Sequence, residues 1–544
     1  MKHTTKIMGA CLTAILAVSG MAGCFLRRKG GDKYENGRLI LNLKNVYFDT
    51  WDGAGDIYTE EINEKFGVKI KPSNYDYSDW DGSVYSAING DNLTDTIHFN
   101  LKAYNYGSTY ERWVADRMLK PLPDDLSKWP NLEAMISKAT NVDKLRIDGH
   151  LYGIPIMNDI VKTEKDFSNF TFVYRRDWAK WIDAELNDGT PVYKEGDVYT
   201  WEEFERLVAA IHTNLKTLSG INGAVAIADE EWGYPSIANL YKDAPHCFTK
   251  DAEGNAINAF TSDKYIAGLE KAKDFVNKGY YSPDNPAFDE GKANKDFTAG
   301  KVGVLYDNFS LANYITLRNN VKKTYKDKAE KYYNLEDATA LMKVKGPDGK
   351  FAIEGTENWF SATLFSYAVS DTKMEKILDI IDYLLSEEGT RLAVYGKEGY
   401  DYNIVDGKVV LSETGWEKDD KGVYVPKVNG AKYLRYMATL GNDTKSFDPY
   451  TDMEAYNILD AWYSEMKAEK DKGNLRVVQE PADIAWMSTP TKNDKTESML
   501  EDANTYVGQY TIGKGIGSLD EYKNKFNTPA WRDALKEINE KLKK

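Results

Sequence analysis

The sequence predicts an α/β fold in which parallel sheets are covered by helices on both faces. Three observations carry the prediction. Between residues 38 and 120, short apolar strands alternate with helical stretches in the order β-α-β-α-β-α. A second unit of the same kind runs from Phe170 to Tyr306. The chain has 544 residues, 42% hydrophobic and 28% charged, which is enough for roughly two to four globular domains with a large core.

The elements follow from local patterns. Leu39, Leu41 and Leu43 alternate with Arg38, Asn42 and Lys44, so residues 39–47 read as a strand with one buried face. Residues 56–66 have helical spacing and stop at Gly67, a residue suited to the left-handed position after a helix. Residues 68–70 and 96–99 are further short strands, 84–88 a short helix, and 110–119 a helix halted before Pro121. Residues 170–174 read as a strand and 176–186 as a helix. Thr200 with Glu203 three residues later forms a capping box, which starts a helix over 201–215. Strands over 225–228 and 303–306 flank a helix over 265–278 that ends at Gly279. Residues 359–369 form an aromatic-rich strand, and Asp371 is expected to cap a helix reaching Leu385. Helices over 453–467 and 496–510, and a tail from Trp531, complete the chain. No internal repeat or low-complexity tract interrupts it.

The amino terminus reads as an export leader. Lys2 and Lys6 give a positive start, and residues 7–18 form a short apolar run, too short for a membrane span. Met21-Ala22-Gly23-Cys24 follows and is similar to a bacterial lipobox, with Met21 where Leu is preferred. On that reading Cys24 is lipidated and becomes the first residue of the mature chain. The alternative is an ordinary secretory leader with an incidental cysteine. Both place the body outside the cytoplasm. Arg27-Arg28-Lys29 just beyond adds attraction to anionic headgroups, or is a solvated linker.

Charge and cysteine use exclude whole classes. The chain carries −15, and loss of Lys2 and Lys6 takes it to −17, so no nucleic-acid partner is expected. Once Cys11 leaves with the leader and Cys24 is lipidated, Cys247 is alone and forms no internal disulfide. It reads as a small buried hydrophobe. There is no Gly-x-Ser-x-Gly elbow, phosphate loop, His-Glu-x-x-His or Cys-x-x-Cys, and the five His are scattered without ligand spacing. The chain therefore reads as no enzyme and as holding no cofactor or metal.

Further stretches carry a resemblance. They are Asp148-Gly149-His150-Leu151-Tyr152-Gly153-Ile154-Pro155, Phe172-Val173-Tyr174-Arg175-Arg176-Asp177-Trp178, Thr200-Trp201-Glu202-Glu203-Phe204, Leu384-Leu385-Ser386-Glu387-Glu388-Gly389 and Tyr395-Gly396-Lys397-Glu398-Gly399-Tyr400-Asp401-Tyr402. Their order after a lipobox resembles family 1 extracellular solute-binding proteins, especially the LplA-like oligosaccharide-binding lipoproteins of ABC importers. The resemblance implies a two-lobed, type II periplasmic-binding-protein-like fold with a hinge between lobes. It places a leader at 1–23, a lipidated tether at 24–37, lobe 1 at 38–157 plus 360–440, and lobe 2 at 158–359 plus 441–544 with the final helices. Gly153-Ile154-Pro155 is then the first crossing, and 360–369 the return. Many relatives carry an acidic calcium loop after the helix that begins at Thr200, but residues 212–223 lack its carboxylates. Tyr77 to Gly82 lacks the first acid and the distal Glu of such a loop.

The function implied is capture of an oligosaccharide by a monomer on the outer face of a Gram-positive membrane, with delivery to ABC permease subunits. A sugar ring has an apolar face for Trp or Tyr and a polar rim for Asp and Asn. Such residues belong on loops at the carboxyl ends of strands. The candidates are Trp51 and Asp52 after the first strand, Asn100, Tyr104 and Tyr106 after the third, and Trp232 and Tyr234 after 225–228. Asn308 and Phe309 follow 303–306, Glu357-Asn358-Trp359 precedes the return crossing with Trp359 as its aromatic, and Trp486 sits in a late loop. A secreted carbohydrate-active enzyme and a polysaccharide-binding adhesin are the alternatives.

Overall fold

The computed structural model describes residues 31–48, 51, 56–75, 94–100, 106–157, 167–185, 189–230, 233–289, 291–325, 333–406, 408–418, 424–427, 430–438 and 453–543. The chain builds one sheet, then a second, then returns to the first. Its opening elements are β1 (Arg38–Lys44), α1 (Ile57–Phe66), β2 (Val68–Ser73), β3 (Thr96–Asn100), α2 (Tyr106–Ala115), α3 (Pro130–Lys138) and β4 (Gly153–Met157). The middle is β5 (Phe170–Tyr174), α4 (Arg176–Glu185), β6 (Val198–Tyr199), α5 (Trp201–Leu218), β7 (Val225–Asp229), α6 (Asp263–Asn277), β8 (Val302–Asn308), α7 (Leu311–Tyr325), β9 (Ala340–Val344) and β10 (Phe351–Glu354). Then follow β11 (Trp359–Phe365), α8 (Asp371–Leu385), α9 (Glu387–Tyr395), α10 (Gly430–Met437), α11 (Met453–Asp471), β12 (Leu475–Val478), α12 (Pro490–Thr511), α13 (Leu519–Lys525) and α14 (Pro529–Leu542).

Local chemistry sets the ends of these elements. Asp56 caps α1 by accepting from the Tyr58 and Thr59 amides, and Gly67 closes it at φ 66°. Thr200 and Glu203 form the expected reciprocal capping box at α5. Ser370, not Asp371, caps α8: the shorter hydroxyl side chain accepts from the Lys373 amide, and Asp371 becomes the first helical residue. α2 lies about a turn earlier than expected, because the chain leaves it at Ala115 and Leu119 bridges to Ser366 instead. α12 starts at Pro490, whose fixed φ suits the first helical turn. The helix expected over 84–88 lies outside the described residues.

Both sheets are mixed, which corrects the expectation of parallel sheets. In the first, the order is the short strand Tyr34–Glu35, then β1-β3-β11-β4, with β2 paired to β1. β1 runs parallel to β2 and β3, while β11 is antiparallel to both β3 and β4. In the second, the order is β7-β8-β5-β9-β6, and β5 is antiparallel to β8 and β9. The reason is direction of travel. A strand that leaves a sheet for the other lobe runs toward the junction, and a strand that enters runs away from it. β11 and β5 are the entering strands.

Two separate interiors result. Leu39, Leu41, Leu43, Ile62, Phe99, Trp113, Ile154, Trp359, Leu364, Ile377 and Leu434 share the first core. The second sheet buries both faces, as period-2 alternation demands. Phe172 and Tyr174 of β5 pack under α4 and α5 with Trp178 and Phe204. Val173 points the other way, with Leu305, Tyr314 and Trp462. The last three helices pack through Val507, Tyr522, Trp531 and Ile538 onto Phe248 and Phe260. Cys247 is free and buried in that layer, where burial pushes its thiol up.

Candidate functional site

The carboxyl ends of β1, β3 and β4 in the first lobe, and of β7, β8 and β10 in the second, converge where the chain passes between lobes. The passages run from Met157 to Phe167, from Glu354 to Trp359 and from Ala438 to Met453. The passage after Glu354 is described throughout and is tied at both ends. On the lobe 2 side the Ser168 amide donates to Glu354 O at 2.7 Å, and the Gly355 amide to Val478 O at 2.8 Å. A Cβ at Gly355 would stand 2.7 Å from Val477 Cγ1 and 2.6 Å from Gln479 Oε1, so a side chain there would have to displace both where the chain leaves β10. On the lobe 1 side Asn358 Nδ2 donates to Lys138 O at 2.8 Å, and Asn358 Oδ1 accepts from the Thr140 amide at 2.9 Å.

Beside this passage lies a cavity of about 430 Å³ lined by both lobes. Asn141 and Lys144 come from the first lobe. Pro245, His246, Glu354, Gln479, Glu480 and Trp486 come from the second, with Gly355, Thr356 and Glu357 of the passage between them. The Lys144 ammonium sits 4.7 Å from the Trp486 ring centroid and 3.8 Å from Glu357 Oε1. Burial holds the Lys144 ammonium below its ordinary pKa. It also holds His246 below its ordinary value, so its imidazole is neutral. Burial pushes Glu480 up to about 7. The wall is therefore polar, with one aromatic face, a lining suited to a polyhydroxylated ring.

Each lobe adds an aromatic edge. After β1, Tyr47 stacks on Tyr436 of α10 with ring centroids 4.7 Å apart, and lies 5.4 Å from the His98 ring. Both tyrosines are half-buried. His98 is buried and shares a 2.6 Å hydrogen bond with Ser361; burial pushes its pKa down to about 3. In lobe 2, half-buried Tyr306 lies over Phe170 at 5.9 Å. Gly233 is held against it, since a Cβ there would stand 2.6 Å from Tyr306 Cδ1. Glu230 is buried and accepts from the amides of Gly291 and Asn294.

The residues expected from sequence fall in three groups. Trp486 lines the junction cavity, Tyr234 is half-buried and donates to Thr511 Oγ1 at 2.8 Å, and Asn308 is exposed at the end of β8. Trp51, Phe309 and Trp359 are buried. Trp51 lies flat on Tyr433, 5.2 Å between centroids and 6° between planes, with its N–H to Thr59 Oγ1 at 3.1 Å. Trp359 fills the first core and donates to Thr140 O at 2.7 Å, and Phe309 sits edge-on to Tyr314. In this conformation these three rings serve packing: Tyr433 of α10 lies on Trp51, the segment after α3 engages Trp359, and Tyr314 of α7 meets Phe309. Asn100 and Tyr106 are placed at the end of β3 and the start of α2, with side chains outside the described residues. Asp52, Tyr104, Trp232 and the lipidation candidate Cys24 lie outside them altogether, as do residues 77–82. Among the described residues no group of three His, Cys, Asp or Glu is placed to hold a metal ion.

Lys144, Glu354, Glu480, Tyr47 and Tyr436 were missed by sequence reasoning, whereas Glu357 was marked by its place just before the expected return crossing. Nothing local marks the five, because the fold alone brings them to the junction.

Two α/β lobes joined by repeated crossings, with a polar cavity at the junction, define the two-lobed solute-binding-protein fold. No family model matches the chain. Among solved structures, the alginate-binding protein AlgQ2 without calcium ion superposes with a TM-score of 0.61 at 14% identity, covering 93% of this chain and 98% of that one. The Streptococcus pneumoniae ABC-transporter substrate-binding protein FusA, in complex with kestose, gives 0.59 at 16% identity, covering 93% and 99%. An HMO-binding solute-binding protein from Bifidobacterium longum infantis gives 0.58 at 15% identity, covering 93% and 98%. Among curated proteins, lipoprotein LipO of Bacillus subtilis is 22% identical over 285 residues. That match takes in 51% of this chain and 50% of LipO, so the chain spans about half the length of that relative.

Proposed function

We propose that this chain is a lipid-anchored, extracellular substrate-binding protein of an ABC importer that captures an oligosaccharide between its lobes. The observation that carries the reading is the junction cavity of about 430 Å³, to which both lobes and the passage between them contribute. A ligand seated there touches both lobes only when they are closed. Its binding energy therefore shifts the population toward the closed form. Trp486 offers the ring face, and Asn141, Gln479 and the glutamates offer hydrogen-bonding groups for hydroxyls. Trp232, Tyr234, Asn308, Tyr47 and Tyr436 are the further aromatic and polar groups proposed for the cleft. The anchor is Cys24, and the closed complex would be presented to permease subunits. In keeping with that, among the described residues no helix is long and apolar enough to cross a membrane.

The test is a thermal-shift screen of the mature chain against oligosaccharides, with the ligand analysed afterwards. A saccharide that raises Tm with concentration and is recovered intact supports the reading. Recovery of cleaved product would make the protein an enzyme, and no shift with any saccharide would refute sugar capture. Trp486→Ala should weaken binding by about 1–2 kcal/mol, the scale of one aromatic contact beyond its buried area. An unchanged Kd would remove Trp486 from the site.

A further inference from the structure

We infer that the junction cavity selects sugars by charge, taking amine-bearing and neutral residues and turning away those that carry a carboxylate. The inference rests on the reading of the cavity as the sugar site and goes on to its substrate class.

Three carboxylates line the cavity: Glu354, Glu357 and Glu480. One ammonium does, Lys144, and it is engaged at 3.8 Å by Glu357 and at 4.7 Å by the Trp486 ring. His246 adds no charge, because burial keeps it neutral. Two further lysines act on these carboxylates without being among the lining residues. Lys242 acts on Glu354, and Lys492 on Glu480. Lys492 is buried, and its ammonium is directed to the carbonyls of Ala485 and Met487 at 2.9 and 3.1 Å. With Glu357 engaged by Lys144, a ligand in the cavity meets Glu354 and, in its ionised form, Glu480. An ammonium on the ligand gains a charge-assisted hydrogen bond to Glu354, and its own charge favours the ionised form of Glu480. A ligand carboxylate meets like charge in a partly desolvated space, where repulsion is stronger than in water.

The test is calorimetric titration of the mature chain with three tetrasaccharides of equal length: chitosan tetramer with free amines, its fully N-acetylated form, and tetragalacturonate. The expected order is amine-bearing, then neutral, then uronate, with the uronate weaker than the neutral tetramer by about tenfold or more. The Glu354→Gln, Glu480→Gln double variant should bring the ratio of amine-bearing to neutral affinity toward one, whatever it does to the affinity for both. Its melting temperature, compared with wild type, reports whether it folds; the wild-type order is decisive without it. Uronate binding equal to or tighter than neutral binding overturns the inference and leaves sugar capture standing. Binding of none of the three, nor of any saccharide in the wider screen, overturns both.

Discussion

Replacing Asp229 with Asn removes a charge that the fold holds where charge is costly. Asp229 ends β7 at the junction edge of the second sheet and is 0% exposed. Its Oδ2 accepts from the Ser236 amide at 2.7 Å and the Tyr281 hydroxyl at 2.8 Å, while Oδ1 is buried with no partner among the described residues. Burial pushes the acid from its ordinary 3.8 up to about 7, against the pull of those two donors. Each pKa unit is worth about 1.4 kcal/mol, so the ionised carboxylate costs the fold at most about 4 kcal/mol relative to the unfolded chain. The sign follows from proton binding. Between the unfolded and folded pKa values the native chain holds the extra proton. The Asp229 contribution is therefore most favourable in acid and is lost as pH rises from about 4 to about 7. The Asp229→Asn variant carries no such dependence. Urea unfolding of both proteins, followed by tryptophan fluorescence, should show the variant gaining about 2–3 kcal/mol on wild type between pH 5 and pH 8.5. A stability difference that is the same at both pH values would refute the buried-charge argument.

Two further predictions concern packing. Trp359→Ala should destabilise the first lobe by about 3–5 kcal/mol through the cavity it leaves. Trp359→Phe should cost less, about 1–2 kcal/mol, since most of the ring volume remains and mainly the bond to Thr140 O is lost. Thermal melting of the two variants would contradict the core placement if they were equally stable. Arg175 is fully buried, gripping Asp177 at 2.8 and 2.6 Å and donating to the Tyr325 hydroxyl at 2.7 Å. Arg175→Ala should cost about 3–5 kcal/mol by stranding Asp177, and adding Asp177→Ala should recover part of that. A strictly additive double-mutant cycle would rule out the coupling.

The sequence made legible those features that depend on neighbours within a few residues. Leu39, Leu41 and Leu43 read as a buried face because strand periodicity is local, and the Asp56–Gly67 and Thr200–Glu203 signals bounded their helices for the same reason. The aromatics were harder. Trp51, Phe309, Trp359 and Trp486 all sit at strand ends or in loops, and sequence offers no way to rank them. What separates them is whether another element covers the ring. Tyr433 covers Trp51, the Lys138–Thr140 segment engages Trp359, and Tyr314 packs against Phe309. Trp486 is only partly covered: it packs against the edge of the first core and the Lys144 ammonium, and still lines the cavity.

The strand directions carry the remaining argument. A parallel reading was natural from β-α-β alternation, which assumes that each strand re-enters its sheet through a helix. Here β4 and β11 lie side by side in register, Pro155 opposite Ala362 and Ile154 opposite Thr363, although an entire lobe separates them in sequence. Such a pair is antiparallel by necessity. One strand runs out to the junction and the other comes back from it, so the turn of an ordinary hairpin is replaced by the second lobe. The same geometry brings Met157, Trp359 and Asn100 to one edge of the first sheet, and Asn308 and Phe170 to one edge of the second. Residues remote in sequence are thereby gathered at the junction, while the two cores stay separate. Two separate cores, linked by a few passages, are the arrangement that the proposed closure on a ligand requires.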